Sequence, residues 1–217
     1  MSGHTLLLGH RGTRVSDSAA ENTLAAFDLA LQLGCDGFEF DVRRTACGTA
    51  VICHDEKVRG LSVAKAARGQ LESLPRLGDV LAHYASRAFM DIELKVPGLE
   101  SDTLVALREH PPERGYVVSS FLPEVLLQLR ARSAEVSLGF ICDKKKTLDR
   151  WPDQPVDYVI PKYTLVTAQL VQAVHRASKT LLTWTVNDEK AMRRLADWGV
   201  DGIIADDPHL LVKTLPG

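Results

Sequence analysis

Two acidic residues alternate with apolar residues in the segment Gly37–Arg43, which has the sequence Gly-Phe-Glu-Phe-Asp-Val-Arg. Successive side chains of a β-strand point to opposite faces, so Glu39 and Asp41 would share one face. Carboxylates held this close repel each other unless a cation or a shared proton lies between them. Paired oxygen ligands are typical of sites for hard divalent cations. The segment therefore predicts a metal site, although the pattern alone also occurs on solvated edge strands.

A third carboxylate is predicted by a second alternating segment, Phe89–Lys95. Its polar face carries Asp91, Glu93 and Lys95, so a carboxylate and a cation point the same way. Three carboxylates match the oxygen-rich ligand shell of magnesium or calcium. We therefore expect Glu93 to complete the metal site that the first segment predicts.

Two histidines and an arginine follow other predicted strands. His10 and Arg11 come directly after an apolar run near the N-terminus, and His54 follows a short strand. A pair of imidazoles beside a metal suits general base and general acid catalysis near neutral pH. Arginine offers a forked donor and lysine a point charge, so Arg11 and Lys95 suit a phosphoryl group. Together these residues predict metal-assisted hydrolysis of a phosphate ester.

A regular alternation of strands and helices must position these residues. The chain passes through about eight strand–helix units, and the last strand and helix lie at Gly202–Ala205 and from Pro208 onward. This alternation is typical of a parallel sheet, and the absence of a Gly-x-Gly-x-x-Gly loop favours a closed barrel. We predict an α/β fold, a (β/α)8 TIM barrel formed by residues 1–217 as one domain. The segment Glu56–Pro75 is expected to be a loop with at most one or two helical turns.

Composition excludes several function classes. The 217 residues carry a net charge of −2 with both signs interspersed, so nucleic acid is not an expected partner. The sequence has no apolar run of the roughly 20 residues that a membrane span needs, and no stable membrane insertion is expected. The four cysteines form no Cys-x-x-Cys pair, which indicates reduced thiols and a cytoplasmic protein. We expect a monomer or a weak homodimer.

Several strings of residues resemble one enzyme family. The strings are Gly9-His10-Arg11-Gly12, Glu21-Asn22-Thr23-Leu24-Ala25-Ala26-Phe27, Asp36-Gly37-Phe38-Glu39-Phe40-Asp41-Val42, His54-Asp55, Glu93-Leu94-Lys95, Ser119-Ser120-Phe121, Trp184-Thr185-Val186-Asn187 and Asp201-Gly202-Ile203-Ile204-Ala205-Asp206. In this order, over nearly the whole chain, they resemble the glycerophosphodiester phosphodiesterase family. The resemblance implies a TIM barrel that uses one divalent cation, magnesium or calcium. The implied reaction is hydrolysis of a small-molecule glycerophosphodiester to glycerol 3-phosphate and an alcohol.

The resemblance also implies which residues do this work. They are the acid/base pair His10 and His54, the metal ligands Glu39, Asp41 and Glu93, the phosphate contacts Arg11 and Lys95, and Phe121 and Trp184 on the glycerol or alcohol side. Glu21 and Asn22 would brace the loop after the first strand, and a place in the metal shell stays open for Glu21. Many relatives carry an inserted subdomain where this chain has only the short segment Glu56–Pro75. A more open mouth is therefore expected, one that could admit larger or lipid-bearing diesters.

Other functions and mechanisms stay open at this point. One is a phospholipase D-like phosphodiesterase acting on lysophospholipids or sphingolipids, and another is a non-catalytic phosphodiester-binding barrel. An amidohydrolase barrel would want a His-x-His pair on the first strand, whereas this strand ends in His10-Arg11-Gly12. We assign His10 as base and His54 as acid, although the sequence does not settle that order. It also leaves open whether water attacks directly or a cyclic phosphate forms first.

Overall fold

The computed structural model describes residues 4–216, so residues 1–3 and 217 of the predicted domain lie outside the described part. The strands are β1 (Leu6–His10), β2 (Gly37–Arg44), β3 (Ala50–Ile52), β4 (Lys57–Val58), β5 (Leu61–Ser62), β6 (Phe89–Leu94), β7 (Tyr116–Ser120), β8 (Leu138–Cys142), β9 (Tyr158–Pro161), β10 (Thr180–Thr183) and β11 (Gly202–Ala205). The helices are α1 (Leu24–Gln32), α2 (Leu77–Tyr84), α3 (Glu100–Glu109), α4 (Pro123–Arg132), α5 (Lys145–Leu148), α6 (Ala168–Arg176), α7 (Glu189–Asp197) and α8 (Pro208–Thr214).

Eight of these strands form a closed parallel barrel. The neighbours around it are β1, β2, β6, β7, β8, β9, β10 and β11, and β11 pairs again with β1. Helices lie between successive barrel strands on the outside, as in a TIM barrel. The predicted fold is therefore confirmed. The carboxyl ends of all eight strands meet at one mouth, where the side chains of distant segments come together.

The outer face of β2 shows why the acidic residues point inward. Phe38 stacks on Phe27 of α1 with ring centroids 4.2 Å apart, and Tyr84 of α2 meets Phe38 edge-on at 4.9 Å. The side chain of Thr23 caps α1 by accepting from the backbone N–H of Ala26. Burying these aromatic rings beneath the helices leaves the alternate residues of β2 facing the barrel interior.

Apolar side chains fill the lower part of the barrel, below the mouth. Its buried members are Leu8, Phe89, Val117, Ile141, Ile160, Leu182 and Ile204, which come from seven different barrel strands. Such a packed layer makes the interior a core rather than a channel. The polar residues described below lie above and beside this layer.

The segment between β3 and α2 differs from the expectation. The expected helical turns are present as two short 3-10 turns, Val63–Lys65 and Arg68–Leu71. The prediction of a loop was wrong in one respect, because β4 and β5 form a small antiparallel hairpin. Its turn residues Arg59 and Gly60 both have positive φ, which is typical of a two-residue hairpin turn. Strands of two residues are too short to show an alternating pattern.

Two other segments refine the predicted pattern. β3 pairs antiparallel with the end of β2 and is not part of the barrel. Between β8 and β9 the chain forms the short helix α5 and then a 3-10 turn at Trp151–Asp153. Among residues 4–216, no helix combines the length and the apolar character that crossing a bilayer requires.

Candidate active site

A tight turn at the end of β1 places the first two site residues. The backbone N–H of Gly12 donates to the carbonyl of Gly9 at 3.1 Å, and Arg11 has a φ of 52°. A Cβ at Gly9 would lie 2.0 Å from the Gly12 carbonyl oxygen, so this turn requires glycine. The turn aims the backbone N–H of Arg11 at Glu39, where it donates to Oε2 at 3.0 Å. His10 and Arg11 are thereby held at the barrel mouth.

Four carboxyl groups from two adjacent strands line the same side of the interior. Glu39 and Asp41 of β2 lie in register with Asp91 and Glu93 of β6. All four residues are buried. One ligand atom from each of Glu39, Asp41 and Glu93 lies within 4.8 Å of the others, so this cluster could hold a metal ion. The structure thus brings together the three predicted metal ligands.

Two cationic side chains contact these carboxylates. Lys95 Nζ lies 2.6 Å from Glu93 Oε1 and 3.2 Å from Asp41 Oδ1. Arg11 Nε lies 3.1 Å from Asp41 Oδ2, and its Nη1 donates to Glu21 Oε1 at 2.7 Å. Glu21 therefore braces the loop after the first strand by holding Arg11. Both predicted phosphate contacts lie at the mouth, next to the acidic cluster.

The protonation of the cluster follows from burial and from these neighbours. Burial, together with the nearby Asp41, raises the pKa of Glu39 well above its usual range. Burial also raises the pKa of Glu93 to about 7, against the opposing effect of Lys95. Burial would raise the pKa of Asp41 too, but Lys95, Arg11 and a hydrogen bond from Asn22 together hold it below its usual value.

The donor set fits a divalent cation. Oε1 of Glu39 and Oδ2 of Asp91 are buried and have no hydrogen-bond partner. Unpaired buried oxygens are costly, and carboxylate oxygens are the ligands that magnesium and calcium prefer. The four carboxyl groups also outnumber Arg11 and Lys95, the two cations in contact with them. A divalent cation would balance this excess of negative charge.

His10 is oriented by a carboxylate from the far end of the chain. Its Nδ1 lies 2.6 Å from Oδ1 of Asp206, and its Nε2 lies 3.7 Å from Oε2 of Glu39. Asp206 also accepts from Asn187 Nδ2 at 2.6 Å and from Arg14 Nη1 at 3.4 Å. Burial opposes ionisation of Asp206, yet the hydrogen bonds from His10 and Asn187 lower its pKa to about 2. Asp206 is therefore an ionised acceptor for the imidazole.

His54 lies in the segment that follows β3 and lines the same cavity as His10. Its Nδ1 lies 2.9 Å from Oδ1 of Asp55, and its carbonyl accepts from Arg43 Nε at 2.7 Å. The His54 side chain is 36% exposed, compared with 12% for His10. One imidazole thus faces the interior and the other faces solvent at the edge of the same cavity.

Aromatic and aliphatic side chains form the wall opposite the acids. Phe121 and Trp184 meet edge-on with ring centroids 5.5 Å apart, and Lys95 Nζ lies 5.8 Å from the Phe121 ring. A cavity of about 170 Å³ lies between the two walls. It is lined by His10, Arg11, Glu39, His54, Asp91, Glu93, Lys95, Phe121, Ile141, Ile160, Trp184 and Ile204. Eight of the nine predicted site residues line this cavity, and the ninth, Asp41, joins the cluster through its carboxylate.

Sequence reasoning left Asp91 and Asp206 of this site without a role and expected Asn22 only to brace the loop after the first strand. Asp91 lines the cavity, Asp206 orients His10, and Asn22 both donates to Asp41 Oδ2 and accepts from the Asp41 backbone N–H. The signal for Asp91 is present in the sequence, because it shares the polar face of β6 with Glu93. Nothing local indicates the partnership of Asp206 with a residue 196 positions earlier.

The fold and the arrangement of these groups define a class. The protein is a TIM barrel with acidic, imidazole and cationic groups gathered at the carboxyl ends of its strands, where such barrels carry their active sites. The model of the glycerophosphoryl diester phosphodiesterase family matches residues 10–102 and 87–210. The chain belongs to this family, and the predicted family is confirmed. So is the predicted class of enzyme, a phosphoric diester hydrolase.

A curated relative agrees with this assignment, and solved structures share the fold. A glycerophosphodiester phosphodiesterase of Caldanaerobacter subterraneus is 29% identical over 239 residues, which cover 96% of this chain and 97% of the relative. A putative glycerophosphoryl diester phosphodiesterase from Silicibacter pomeroyi has the same fold, with a TM-score of 0.90 at 22% identity over 99% and 94% of the two chains. An Oleispira antarctica phosphodiesterase, solved with the product sn-glycerol-3-phosphate, matches with a TM-score of 0.84 at 24% identity over 99% and 98% of the chains.

Proposed function

We propose that this protein hydrolyses glycerophosphodiesters to glycerol 3-phosphate and an alcohol, with one divalent cation, magnesium or calcium, held by Glu39, Asp41 and Glu93. The observation that carries the proposal is the meeting of these three carboxylates with His10 and His54 around one cavity. Membership of the family supports the reaction, and the glycerol 3-phosphate bound to the Oleispira relative supports the product. When bound, the cation would neutralise the phosphate and stabilise the negative charge that develops on it.

The cationic residues would orient the phosphodiester. Arg11 and Lys95 lie beside the acidic cluster and already contact its carboxylates. A guanidinium and an ammonium at this position favour an anionic group at the mouth. The apolar wall with Phe121 and Trp184 would hold the carbon chain of the glycerol or alcohol and keep water away from that side.

His10 would act as the general base. Since the pKa of Asp206 is lowered to about 2, its carboxylate is ionised near neutral pH and accepts a hydrogen bond from the Nδ1–H of the ring. A neutral imidazole that carries its proton on Nδ1 has an unprotonated Nε2. This Nε2 is directed toward Glu39 and can take a proton from the attacking hydroxyl group.

His54 would act as the general acid. Asp55 contacts its Nδ1 and orients the ring, and Arg43 holds the backbone of the same residue. Its position at the solvent-exposed edge of the cavity suits the release of an alcohol. The proton on the ring would pass to the oxygen of the leaving alcohol as the phosphorus–oxygen bond breaks.

The test is a hydrolysis assay on glycerophosphocholine and other glycerophosphodiesters, with the cation removed by a chelator and then restored. We expect activity that disappears with the chelator and returns with magnesium or calcium. His54→Ala should lower kcat by about 10²- to 10⁴-fold. His209→Ala provides the control, because that histidine is exposed on α8 and should leave kcat unchanged. Cation-independent turnover, or a His54→Ala variant with wild-type kcat, would refute the proposal.

The compartment and the oligomeric state belong to the same proposal. We infer a cytoplasmic protein that is a monomer or a weak homodimer. The four cysteines support a reducing compartment, since all of them are free thiols in the structure.

A further inference from the structure

A second cleft lies beside the barrel mouth, on the outer side of His54. Its volume is about 500 Å³, and it extends along the loop before α1 and the β4–β5 hairpin. His54 lines both this cleft and the smaller cavity of the active site. Glu21, Asp55, Lys57 and Arg59 also line the cleft. A group bound at His54 on the active-site side would therefore lie at the entrance to this second space.

The acidic residues of the cleft are already engaged. Glu21 accepts from Arg11 at 2.7 Å and from Arg14 at 2.5 Å, and Asp55 contacts His54 at 2.9 Å. Each of these carboxylates therefore has a cationic or imidazole partner.

The cationic residues of the cleft have no such partner. Among residues 4–216, no carboxylate lies within 4.0 Å of the Lys57 ammonium or the Arg59 guanidinium, and both residues are exposed. Arg43 and Arg44 lie on the other side of the same hairpin and line a neighbouring pocket. Within the part of the chain that the structure describes, Lys57 and Arg59 are thus the cations that line the cleft without a carboxylate partner, while Glu56 lines the neighbouring pocket beside Arg43 and Arg44.

The hairpin holds Arg59 at a defined place. Arg59 and Gly60 occupy the turn with φ values of 50° and 81°, and the backbone N–H of Val63 donates to the carbonyl of Glu56 at 3.0 Å. Val58 packs against a buried apolar cluster that also contains Val63. An arginine with positive φ costs free energy that glycine or asparagine would avoid. A role for its side chain in ligand binding would explain why an arginine occupies this position despite its unfavourable backbone conformation.

We propose that this cleft binds the alcohol part of the diester and selects alcohols that carry a negative charge. The inference rests on the proposed function, with His54 as the acid. The leaving oxygen must lie within hydrogen-bond reach of that ring, so the rest of the alcohol extends past His54 into the cleft. There it meets Lys57 and Arg59. An alcohol that bears a phosphate group gains two ion pairs, whereas one that bears a quaternary ammonium is repelled.

The size of the preference follows from the exposure of these groups. Solvent-exposed ion pairs are weak and are screened by salt. Two of them would together change kcat/KM by about three- to ten-fold. We therefore expect the enzyme to favour a diester with an anionic alcohol over a neutral one by this factor, at low salt, and to favour a cationic alcohol least.

The experiment compares kcat/KM for three substrates: glycerophosphoinositol 4-phosphate, glycerophosphoglycerol and glycerophosphocholine. The measured quantity is the ratio of the anionic to the neutral substrate in the wild type and in Lys57→Gln/Arg59→Asn. Asparagine tolerates the positive φ of the turn. We expect the ratio to fall by about three- to ten-fold in the double variant and to fall in the wild type at higher salt. Lys190→Gln/Arg193→Gln removes two exposed charges from α7 and should leave the ratio unchanged.

The outcomes separate this inference from the function on which it rests. If no glycerophosphodiester is hydrolysed, the proposed function fails. If all three are hydrolysed without a ranking by charge, or if the double variant keeps the wild-type ratio, only the cleft proposal is overturned. If the double variant loses its native circular dichroism spectrum, the single variant Lys57→Gln is measured instead. Its ratio of kcat/KM for the anionic to the neutral substrate should fall by about two- to three-fold.

Discussion

Asp91 is a carboxyl group that the barrel buries without a full set of partners. Ser119 Oγ donates to its Oδ1 at 2.5 Å, while its Oδ2 has no partner. Burial, partly offset by the Ser119 hydrogen bond, raises the pKa of Asp91 to about 7. The folded protein therefore holds this proton more tightly than the unfolded chain does. A group of this kind makes the fold less stable as pH rises from about 4 to about 7.

We predict that Asp91→Asn stabilises the cation-free protein at high pH. Near pH 5 the wild-type carboxyl group is protonated in the fold, whereas near pH 8 it is an ionised buried group. The advantage of asparagine, which never ionises, should grow by roughly 2 kcal/mol between those two pH values. The measurement is the free energy of unfolding by urea for both proteins at each pH, with a chelator present.

A matched variant shows whether the pH dependence of stability arises from titration of Asp91. Asp102→Asn changes an exposed carboxyl group on α3, where the difference between the two pH values should be within experimental error. If the difference in unfolding free energy between Asp91→Asn and the wild type is the same at both pH values, the buried carboxyl group does not titrate in this range.

At the scale of single residues, the sequence predicts those positions whose role follows from local alternation. Glu39, Asp41 and Glu93 alternate with residues that pack under the helices, so their inward direction could be inferred. The pair of His10 and Asp206 could not, because barrel closure brings together residues that are 196 positions apart. The register between neighbouring strands also decides which acidic residues face each other. This register cannot be inferred from the sequences of the individual strands.

The turn after β1 and the helix α2 offer a test at the scale of elements. A Cβ at Gly9 would lie 2.0 Å from a backbone oxygen, whereas a Cβ at Gly78 would meet no atom within 4 Å. We predict that Gly9→Ala destabilises the protein by about 1–3 kcal/mol or more, because the turn that holds His10 and Arg11 must shift. Hydrolysis should fall as well. Gly78→Ala should instead stabilise it by about 0.5–1 kcal/mol, since alanine favours a helix.

Urea unfolding of the two variants, beside an assay of hydrolysis, provides the measurement. The same substitution, glycine to alanine, should change the free energy of unfolding in opposite directions at the two sites. A Gly9→Ala protein with wild-type stability and activity would mean that the turn is more adaptable than its close contact indicates.

Elements with a clear repeating pattern were predictable, whereas the two-residue strands β4 and β5 were not. β2 lies at Gly37–Arg44, as the alternation of acidic and apolar residues in Gly37–Arg43 predicts. The hairpin of β4 and β5 was missed, since each strand has two residues. Its only local signal is the Arg59-Gly60 pair, and arginine is an unusual residue for that turn. The hairpin borders the proposed alcohol cleft, so the least predictable element is the one to which we assign specificity.

At the scale of the whole molecule, the acidic cluster joins neighbouring strands of a closed barrel. Glu39 and Asp41 lie on β2, and Glu93 lies on β6, which pair over six residues. Without a cation, their repulsion acts against this pairing. A ligand that binds only the folded state stabilises the entire protein by mass action. The proposed cation should therefore be detectable in thermal stability, apart from any assay of hydrolysis.

We predict that magnesium or calcium raises the Tm of the chelated protein. At about 100 times its dissociation constant, the cation should add about 2.7 kcal/mol, which corresponds to a rise of about 5–10 °C for a chain of this length. Glu39→Gln/Glu93→Gln removes two ligands and two buried carboxyl groups whose ionisation the fold opposes. This variant should have a higher Tm than the wild type in chelator and should gain little from the cation. A cation-induced rise that is equal in the two proteins would place the ion elsewhere, because only binding at the acidic cluster makes the stabilisation depend on those two carboxylates.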